Sequence, residues 1–378
     1  MRQRASALEK VGGIALAVTS TALLAACGSS GGGHPAASGT SAKANPLVQT
    51  YETEYRALET NTSPNITISP LTKPAPAGKT VEIITCAVPI CAKYTKGASE
   101  AAQALGWKTK TVVSPFTPEG FKGTWDTVLQ DKPDAVVMAA VAPTNSVIAQ
   151  VKQASDQGIV VVGYGLDVPA GGASPFTFAT TSEAALKSAG RAQALTIVND
   201  AKGPANVLLL IDPAENNVKV QAAEDKSVLE SVGSTVGELN VNSADIGKNV
   251  PTQIVTHLQS HPKVQYVVVP NDDFLPGIPQ ALKSASVGNV KLIGEAANST
   301  SVGLLQSGQL FSSSVHPVVE NGWYLVDAIV RKMVGDPIKD ANPVWPQVIA
   351  NKDTAGKLGV LDDWPHITDK FKAAWNVK

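Results

Sequence analysis

The chain lacks several features that mark common protein classes. Its apolar stretch near the N-terminus, Val11 to Ala26, is interrupted by glycine, serine and threonine and is too short to span a hydrocarbon core of about 30 Å. There is no cluster of basic residues and no long run of like charge, and the formal net charge is −1. Nothing in the charge pattern therefore suggests a nucleic-acid partner.

Catalytic signatures are missing as well. The sequence contains no Gly-x-Ser-x-Gly elbow for a nucleophile, no His-Glu-x-x-His pair for zinc and no glycine-rich lysine loop for phosphates. Gly163 to Gly165 is too short to be a dinucleotide fingerprint. We expect no metal, no other cofactor and no catalytic residue. The one enzyme alternative is an exported hydrolase with a triad that includes His316, although no motif positions such a triad.

The N-terminal segment has the layout of a secretory signal peptide, because basic residues precede a short apolar stretch that ends in small residues. The sequence LAAC at 24–27 then resembles the lipobox at which bacterial lipoproteins are cleaved and acylated. We expect residues 1–26 to be removed, which changes the net charge to about −3. Cys27 would then anchor the protein to the extracytoplasmic face of the cell membrane. An ordinary signal peptide with a chance cysteine is the alternative.

Residues 27–79 are expected to form the lipid anchor and a leader. The tract 28–44 is rich in glycine, serine and alanine, which predicts a flexible tether. Apolar residues at three- and four-residue spacing predict an amphipathic helix over 45–61. Four prolines between 62 and 80 predict an extended segment. The pattern leaves open whether the leader helix docks on the body of the protein.

The other two cysteines, Cys86 and Cys91, are separated by four residues. In an exported protein, an even pair at short spacing predicts a disulfide. A redox motif would normally have two intervening residues, and a metal site would need further ligands nearby. So short a loop constrains the unfolded chain by only roughly 2 kcal/mol, but the bond would rigidify that loop.

From about Thr80 onward, strand and helix patterns alternate. Continuous apolar, β-branched runs of this kind predict parallel sheets covered on both faces. About 300 residues of this pattern exceed what one core usually holds, so two α/β domains are expected. The predicted strands are 81–85, 110–114, 135–141, 159–165, 206–211, 264–270 and 290–296.

Three stretches of this region resemble the ribose-binding type of periplasmic binding protein, the solute receptors of ABC importers. They are a strand, Pro-Thr turn and helix leading into a further strand at 133–165, a strand–Asn-Asp–helix segment at 264–285, and a closing run at 290–338. The similarity covers roughly residues 80–352. The two-cysteine loop and the proline-rich leader also resemble actinobacterial lipoprotein members of this group.

The resemblance implies periplasmic binding protein type I architecture, with two doubly wound parallel-sheet lobes joined by a three-segment hinge. The crossings are expected near Ala179, near His316 and near residues 341–347. The N-terminal lobe would then be 80–179 with 317–341. The C-terminal lobe would be 180–316 with 347–378.

Open α/β sheets bind ligands in the crevice beyond the carboxyl ends of their strands. This rule selects candidate ligand-binding residues without reference to the family, and His316 joins them because it lies at an expected hinge crossing. The candidates are Tyr94, Thr144, Tyr164, Asp167, Asn217, Asn271, Asp272, Glu295 and His316. Several of these residues could instead have a structural role, since Asn271 and Asp272 could cap the following helix and Tyr164 could close the end of its sheet.

The sugar receptors' recognition residues are only partly retained. Their asparagine matches Asn271, and their hinge glutamine falls at or beside His316. However, their Asp-Arg pair aligns with Gly165 and Leu166. Their arginine in the second lobe aligns near Lys219, and the two-cysteine loop replaces the phenylalanines that stack on the sugar ring. Because such charged pairs read several sugar hydroxyls at once, their loss leaves the ligand open.

We therefore expect an extracytoplasmic solute-binding lipoprotein of an ABC importer. It would capture a sugar, a polyol, a less polar ring compound or a carboxylate by closure of two lobes. Its partners would be the small-molecule ligand, an ABC permease and the membrane through the lipid, and the protein would be a monomer. A receptor that signals to a membrane sensor is the main alternative.

Overall fold

The computed structural model describes residues 45–60, 66–115, 117–341, 343–356 and 364–377. The expected signal segment 1–26, the tether and Cys27 lie outside these ranges. None of the helices in the described ranges is both long enough and apolar enough to cross a bilayer.

The N-terminal lobe is built on a five-stranded parallel sheet with the order β2-β1-β3-β4-β5. Valine and isoleucine fill the central strands, which are buried on both faces because helices cover each side. The strands are β1 Thr80–Thr85, β2 Lys108–Val113, β3 Ala135–Ala139, β4 Val160–Tyr164 and β5 Phe178–Thr180. The helices between them are α2 Pro89–Ala104, α3 Pro118–Asp131 and α4 Ile148–Asp156.

The C-terminal lobe contains a six-stranded sheet with the order β11-β10-β9-β8-β6-β7, parallel except for the pairing of β11 with β10. Its strands are β6 Asn206–Ile211, β7 Thr235–Asn240, β8 Tyr266–Val268, β9 Lys291–Gly294, β10 Ser312–Val315 and β11 Val348–Asn351. Its helices are α5 Glu183–Ala201, α6 Asn216–Ser231, α7 Val250–Ser260, α8 Ile278–Ser284 and α9 Ser299–Ser307.

Helix α10, Val318–Val334, follows the second sheet in sequence but returns to the first lobe. It packs closely on α2 because both helices carry glycine at the contact. A Cβ on Gly97 would lie 1.8 Å from the carbonyl oxygen of Val319, and a Cβ on Gly322 would lie 2.3 Å from the amide of Ala98. Helices α2 and α10 therefore form one rigid layer of the N-terminal lobe.

The C-terminal helix α11, Pro365–Trp375, corrects one predicted boundary. Residues 347–378 were expected to belong to the C-terminal lobe, but α11 packs on α10 of the N-terminal lobe. Trp375 stacks on Trp323 with ring centroids 5.6 Å apart, and its indole N–H donates to Asp327 at 2.8 Å. The physical reason is that α11 buries an aromatic face for which α10 offers the matching aromatic surface.

The leader contacts both lobes. Helix α1, Pro46–Thr60, buries Val48, Tyr51 and Tyr55 against the C-terminal lobe, and its Glu54 accepts two hydrogen bonds from Arg191 of α5. Residues 66–79 run instead along the N-terminal lobe, where the amide of Leu71 donates to Ala374 and the indole of Trp107 donates to Pro76. The leader is therefore a covalent connection between the lobes in addition to the three passes of the hinge.

Candidate functional site

The three passes of the hinge lie side by side at the carboxyl ends of the strands. The first follows β5, and the amide of Ala179 on that strand donates to the carbonyl oxygen of Ala341 on the third pass at 2.9 Å. The second follows β10 and the third precedes β11, and Val315 pairs with Val348 across these two strands. Gln347 therefore lies next to His316, and both residues are buried.

The N-terminal lobe contributes a pair of stacked tyrosines to this region. The rings of Tyr94, from α2, and Tyr164, from the end of β4, are 4.0 Å apart and nearly parallel. Burial raises the pKa of Tyr164, and the hydroxyl groups of Thr85 and Thr95 oppose that rise. Both tyrosines are therefore neutral, and both are buried.

The C-terminal lobe contributes a carboxylate and an imidazole. Glu295 follows β9 and His316 follows β10, and Glu295 Oε1 lies 3.1 Å from His316 Nδ1. This is an ion-pair distance, but the two groups are not aligned for a hydrogen bond, so neither ring nitrogen has a hydrogen-bond partner within the described ranges. Each side chain is only 8 % exposed, so the pair is enclosed by protein.

The charge of Glu295, on the C-terminal lobe, acts on Tyr94 of the N-terminal lobe. Burial raises the pKa of Tyr94 well above its ordinary value, and the charge of Glu295 adds to the rise. The candidate site therefore consists of two close pairs, Tyr94 with Tyr164 on the N-terminal lobe and Glu295 with His316 on the C-terminal lobe.

Asp272 lies next to Glu295 and makes its side-chain hydrogen bonds within the C-terminal lobe. Its Oδ1 accepts from the amide of Glu295 at 2.9 Å, its Oδ2 accepts from the hydroxyls of Ser301 and Ser313, and its own amide donates to the carbonyl of Glu295. Gly294 permits this approach, since a Cβ there would lie 1.9 Å from Asp272 Oδ1. Asp272 therefore fixes the backbone that carries Glu295.

The remaining candidates make local contacts. Asn271 caps a short turn, because its Oδ1 accepts from the amide of Asp273 at 3.0 Å. Asp167 accepts from the amide of Thr144 at 3.0 Å and so ties the loops after β3 and β4 together. Asn217 lies near Glu215 at the start of α6, where it lowers the pKa of Glu215 against the stronger effect of burial.

Several buried polar groups at the hinge have no hydrogen-bond partner among the described residues, and the sequence analysis selected Thr144 and His316 but not the others in this group. Native proteins pair nearly all buried polar atoms, so a cluster of unpartnered ones needs an explanation. Here they gather at the carboxyl ends of strands and at the passes of the hinge. They are Thr144 Oγ1, Ser146 Oγ, Thr180 Oγ1, Ser314 Oγ, both ring nitrogens of His316, and Gln347 Oε1. Most are small hydroxyl residues, which no local sequence signal distinguishes from ordinary strand residues.

A cavity lies elsewhere in the N-terminal lobe. Its volume is about 490 Å³, and it is lined by residues such as Gly158, Val160, Lys332 and Asp336. Because Val160 begins β4, this cavity lies at the amino end of the first sheet, away from the hinge. Ligands of open α/β sheets bind at the carboxyl ends, so we assign the candidate site to the cleft. Within the described ranges, no group of three or more metal-ligating side chains is present.

Comparisons with known proteins agree with this geometry. A family model described as "Periplasmic binding protein domain" matches residues 89–337. A periplasmic ribose ABC transporter protein from Conexibacter woesei DSM 14684 is similar in structure, with a TM-score of 0.64, 17% identity, and coverage of 75% of this chain and 96% of that one. A sugar ABC transporter protein from Yersinia enterocolitica has a TM-score of 0.69, 15% identity, and coverage of 82% and 97%.

A third similar structure is a solute-binding protein from Burkholderia graminis C4D1M in complex with D-arabinose, with a TM-score of 0.65, 19% identity, and coverage of 75% of this chain and 98% of that one. No curated protein matches the sequence. The expected fold class, an α/β protein with two parallel-sheet lobes of the type I periplasmic binding fold, is confirmed.

Proposed function

Because the chain belongs to the periplasmic binding protein domain family, we propose that it captures a small neutral sugar or polyol between its lobes and delivers it to an ABC permease. Members of this family are solute-binding proteins, so the chain is not an enzyme. The observation that carries the proposal is the cluster of unpartnered buried polar groups around Glu295 and His316 at the hinge. A ligand rich in hydroxyl groups would supply the missing hydrogen bonds.

The charge of the cleft favours a neutral ligand over an anion. Glu295 and Asp273 place carboxylates at the C-terminal side. The three arginines in the described ranges are all engaged elsewhere, since Arg56, Arg191 and Arg331 pair with Glu59, Glu54 and Asp327. A carboxylate ligand would therefore meet like charges without a guanidinium to pair with, and the Lys93 ammonium already favours the charged form of Asp273, so such a ligand loses binding energy.

The aromatic surface completes the recognition. The apolar face of a sugar ring can pack on Tyr94, while hydroxyls at its edge reach Glu295 and His316. These residues come from both lobes, so a bound ligand contacts all of them only when the lobes are closed. Binding then selects the closed form, since only that form offers the full set of contacts.

We further propose that the protein acts as a monomer anchored through a lipid on Cys27 at the extracytoplasmic face of the membrane. The support is the LAAC sequence at 24–27 behind a signal-like segment. A receptor for a membrane sensor would use the same cleft. Crosslinking of the liganded protein in intact cells separates the two roles, because an importer yields adducts with the permease and a sensor receptor does not.

The function is tested by a thermal-shift screen of the exported chain. One panel contains neutral monosaccharides and polyols, a second contains the uronic acids of the same rings, and a third contains less polar ring compounds. A ligand at a hundred times its Kd adds about 2.7 kcal/mol, which moves the midpoint by roughly 2–4 °C. A shift with a neutral sugar or polyol supports the proposal, a shift only in another panel contradicts the ligand class, and no shift in any panel contradicts solute capture.

The site is then tested with the ligand so found. We expect Asn271→Ala, Glu295→Ala and His316→Ala each to weaken binding, by about tenfold or more for Glu295, because a hydrogen bond to a charged group contributes about 1.5–3 kcal/mol. The exposed Asp353→Ala in the same lobe is the matched control. Unchanged affinity in all three variants would contradict the assignment of the ligand-binding site to the cleft.

A further inference from the structure

Helix α2 begins without a capping side chain of its own. Its N-cap residue is Val88, which makes no side-chain hydrogen bond to the helix, and Pro89 occupies the first turn. Valine is a poor N-cap because it has no side-chain oxygen for the free backbone amides of the first turn. The amide of Ile90 is one of these groups, and its acceptor lies outside the helix.

That acceptor is a carboxylate of the other lobe. Asp273 Oδ2 accepts from the amide of Ile90 at 3.1 Å. Asn271 and Asn298 hold Asp273 in place, since Asn271 Oδ1 accepts from its amide at 3.0 Å and Asn298 Nδ2 lies 3.5 Å from its Oδ1. A carboxylate at a helix N-terminus is also favoured by the helix dipole.

The charges around Asp273 come from both lobes. Burial raises the pKa of Asp273, and the Ile90 amide and the ammonium of Lys93 oppose that rise. The charge of Glu295, which is on the same lobe as Asp273, raises the pKa of Asp273 further. The two groups that favour the charged form, Ile90 and Lys93, both belong to α2, so the Asp273 carboxylate is best stabilised when α2 is in contact with it.

The N-terminus of helix α2 is held in place by contacts within the N-terminal lobe. The disulfide between Cys86 and Cys91 ties its first turn to the end of β1, and Gly97 fixes its middle against α10. Its N-terminus is therefore a rigid part of the N-terminal lobe. Asp273 can meet Ile90 only when the two lobes come together.

We propose that Asp273 holds the closed state by supplying across the cleft the cap that α2 lacks. The inference rests on the hinge closure of the proposed function, but it assigns a role to a residue that need not touch the ligand. Asp273 acts through the backbone of α2, the helix that carries Tyr94. Because it favours the closed form itself, it raises the apparent affinity for any ligand that binds only the closed form, in proportion to the fraction of closed protein.

The expected size follows from helix caps in general. Replacing an N-cap carboxylate with alanine shifts a folding equilibrium by roughly twofold to thirtyfold. We expect Asp273→Ala to shift the equilibrium between closed and open lobes by a factor in the same range. Asp273→Asn retains a side-chain oxygen but loses the charge, so its effect should be smaller.

The experiment uses the exported chain without ligand and has two readouts. The first is amide hydrogen exchange at Ile90, whose amide has no partner within the helix. The second is the distance between nitroxide labels on Lys122→Cys of α3 and Lys283→Cys of α8, both at exposed positions, in a chain that also carries Cys27→Ala. Asp353→Ala is the control, because Asp353 is exposed and lies in the C-terminal lobe away from α2.

We expect Asp273→Ala to accelerate exchange at Ile90 by roughly twofold to thirtyfold and to increase the population at long label distance, with the control unchanged. Exchange that rises without a change in label distance would overturn the proposal, because the cap would then be lost without lobe opening. Wild-type values in both readouts would overturn it as well. If Asp273→Ala does not fold, Asp273→Asn is measured and judged by the same criteria. Because the experiment uses no ligand, its result does not depend on the outcome of the ligand screen.

Discussion

The buried carboxyl of Asp272 gives a prediction whose sign and size both follow from the structure. Burial raises its pKa from 3.8 to about 7, and the charge of Glu295 adds to the rise, whereas hydrogen bonds from Ser301 and Ser313 oppose it. The folded protein therefore keeps this proton to a higher pH than the unfolded chain does. The resulting stability is fully present below about pH 4 and is lost as the pH rises through about 7.

The perturbation is Asp272→Asn, which removes the titration and retains an oxygen for the amide of Glu295. The two serine hydroxyls can turn to accept from the new amide group. A pKa difference of one unit corresponds to about 1.4 kcal/mol, so a rise from pH 5 to pH 7 should cost the wild type about 2 kcal/mol of unfolding free energy relative to the variant. Titrations elsewhere in the chain cancel in this comparison.

The assay is urea unfolding of both proteins at pH 5, 6 and 7, with Asp353→Asn as an exposed control. We expect the free-energy gap between wild type and Asp272→Asn to change steadily in favour of the variant as the pH rises. A gap that does not depend on pH would show that burial does not control this carboxyl. A gap that changes in favour of the wild type would show that its three hydrogen-bond donors outweigh desolvation.

Two further predictions concern the cysteines. Cys86 and Cys91, which form a disulfide, should not react with thiol reagents in the native exported protein until it is reduced, and mass spectrometry after alkylation would reveal the opposite. Replacing Cys27 with alanine should move the protein from the membrane fraction to the soluble fraction, because the proposed acyl chains would be absent; a variant that stays with the membrane would contradict the lipid anchor.

The core strands could be predicted from the sequence because they are continuous apolar runs. The prediction of 206–211 coincides with β6, whose central residues are buried leucines and valine. Strand β10 could not be found in this way, since its sequence is Ser-Ser-Ser-Val. Two of its serines satisfy their hydroxyls inside the lobe, with Ser312 donating to Ala350 and Ser313 to Asp272, and no hydrophobic pattern marks such a strand.

The helix of the leader was predicted, but its docking was not. Spacing identifies the apolar face of α1, whereas the partner of that face is on α5, more than 120 residues further along the chain. The same limit applies to α11, whose aromatic residues pair with α10 rather than with the lobe that precedes them in sequence. Local periodicity reports which residues are buried, not the surface that buries them.

The candidate site shows this limit at the level of neighbouring residues. Asp272 and Asp273 are chemically identical and adjacent, yet Asp272 is enclosed by donors of its own lobe while Asp273 reaches across the cleft to Ile90. Only the turn of the backbone at 271–274 sends the two carboxylates in different directions. The two residues therefore serve as controls for each other. Replacing Asp272 should change the pH dependence of the free energy of unfolding and leave the distance between the lobes unchanged. Replacing Asp273 should change the distance between the lobes. If both substitutions had the same effect on both measurements, the division of roles between these two carboxylates would be wrong.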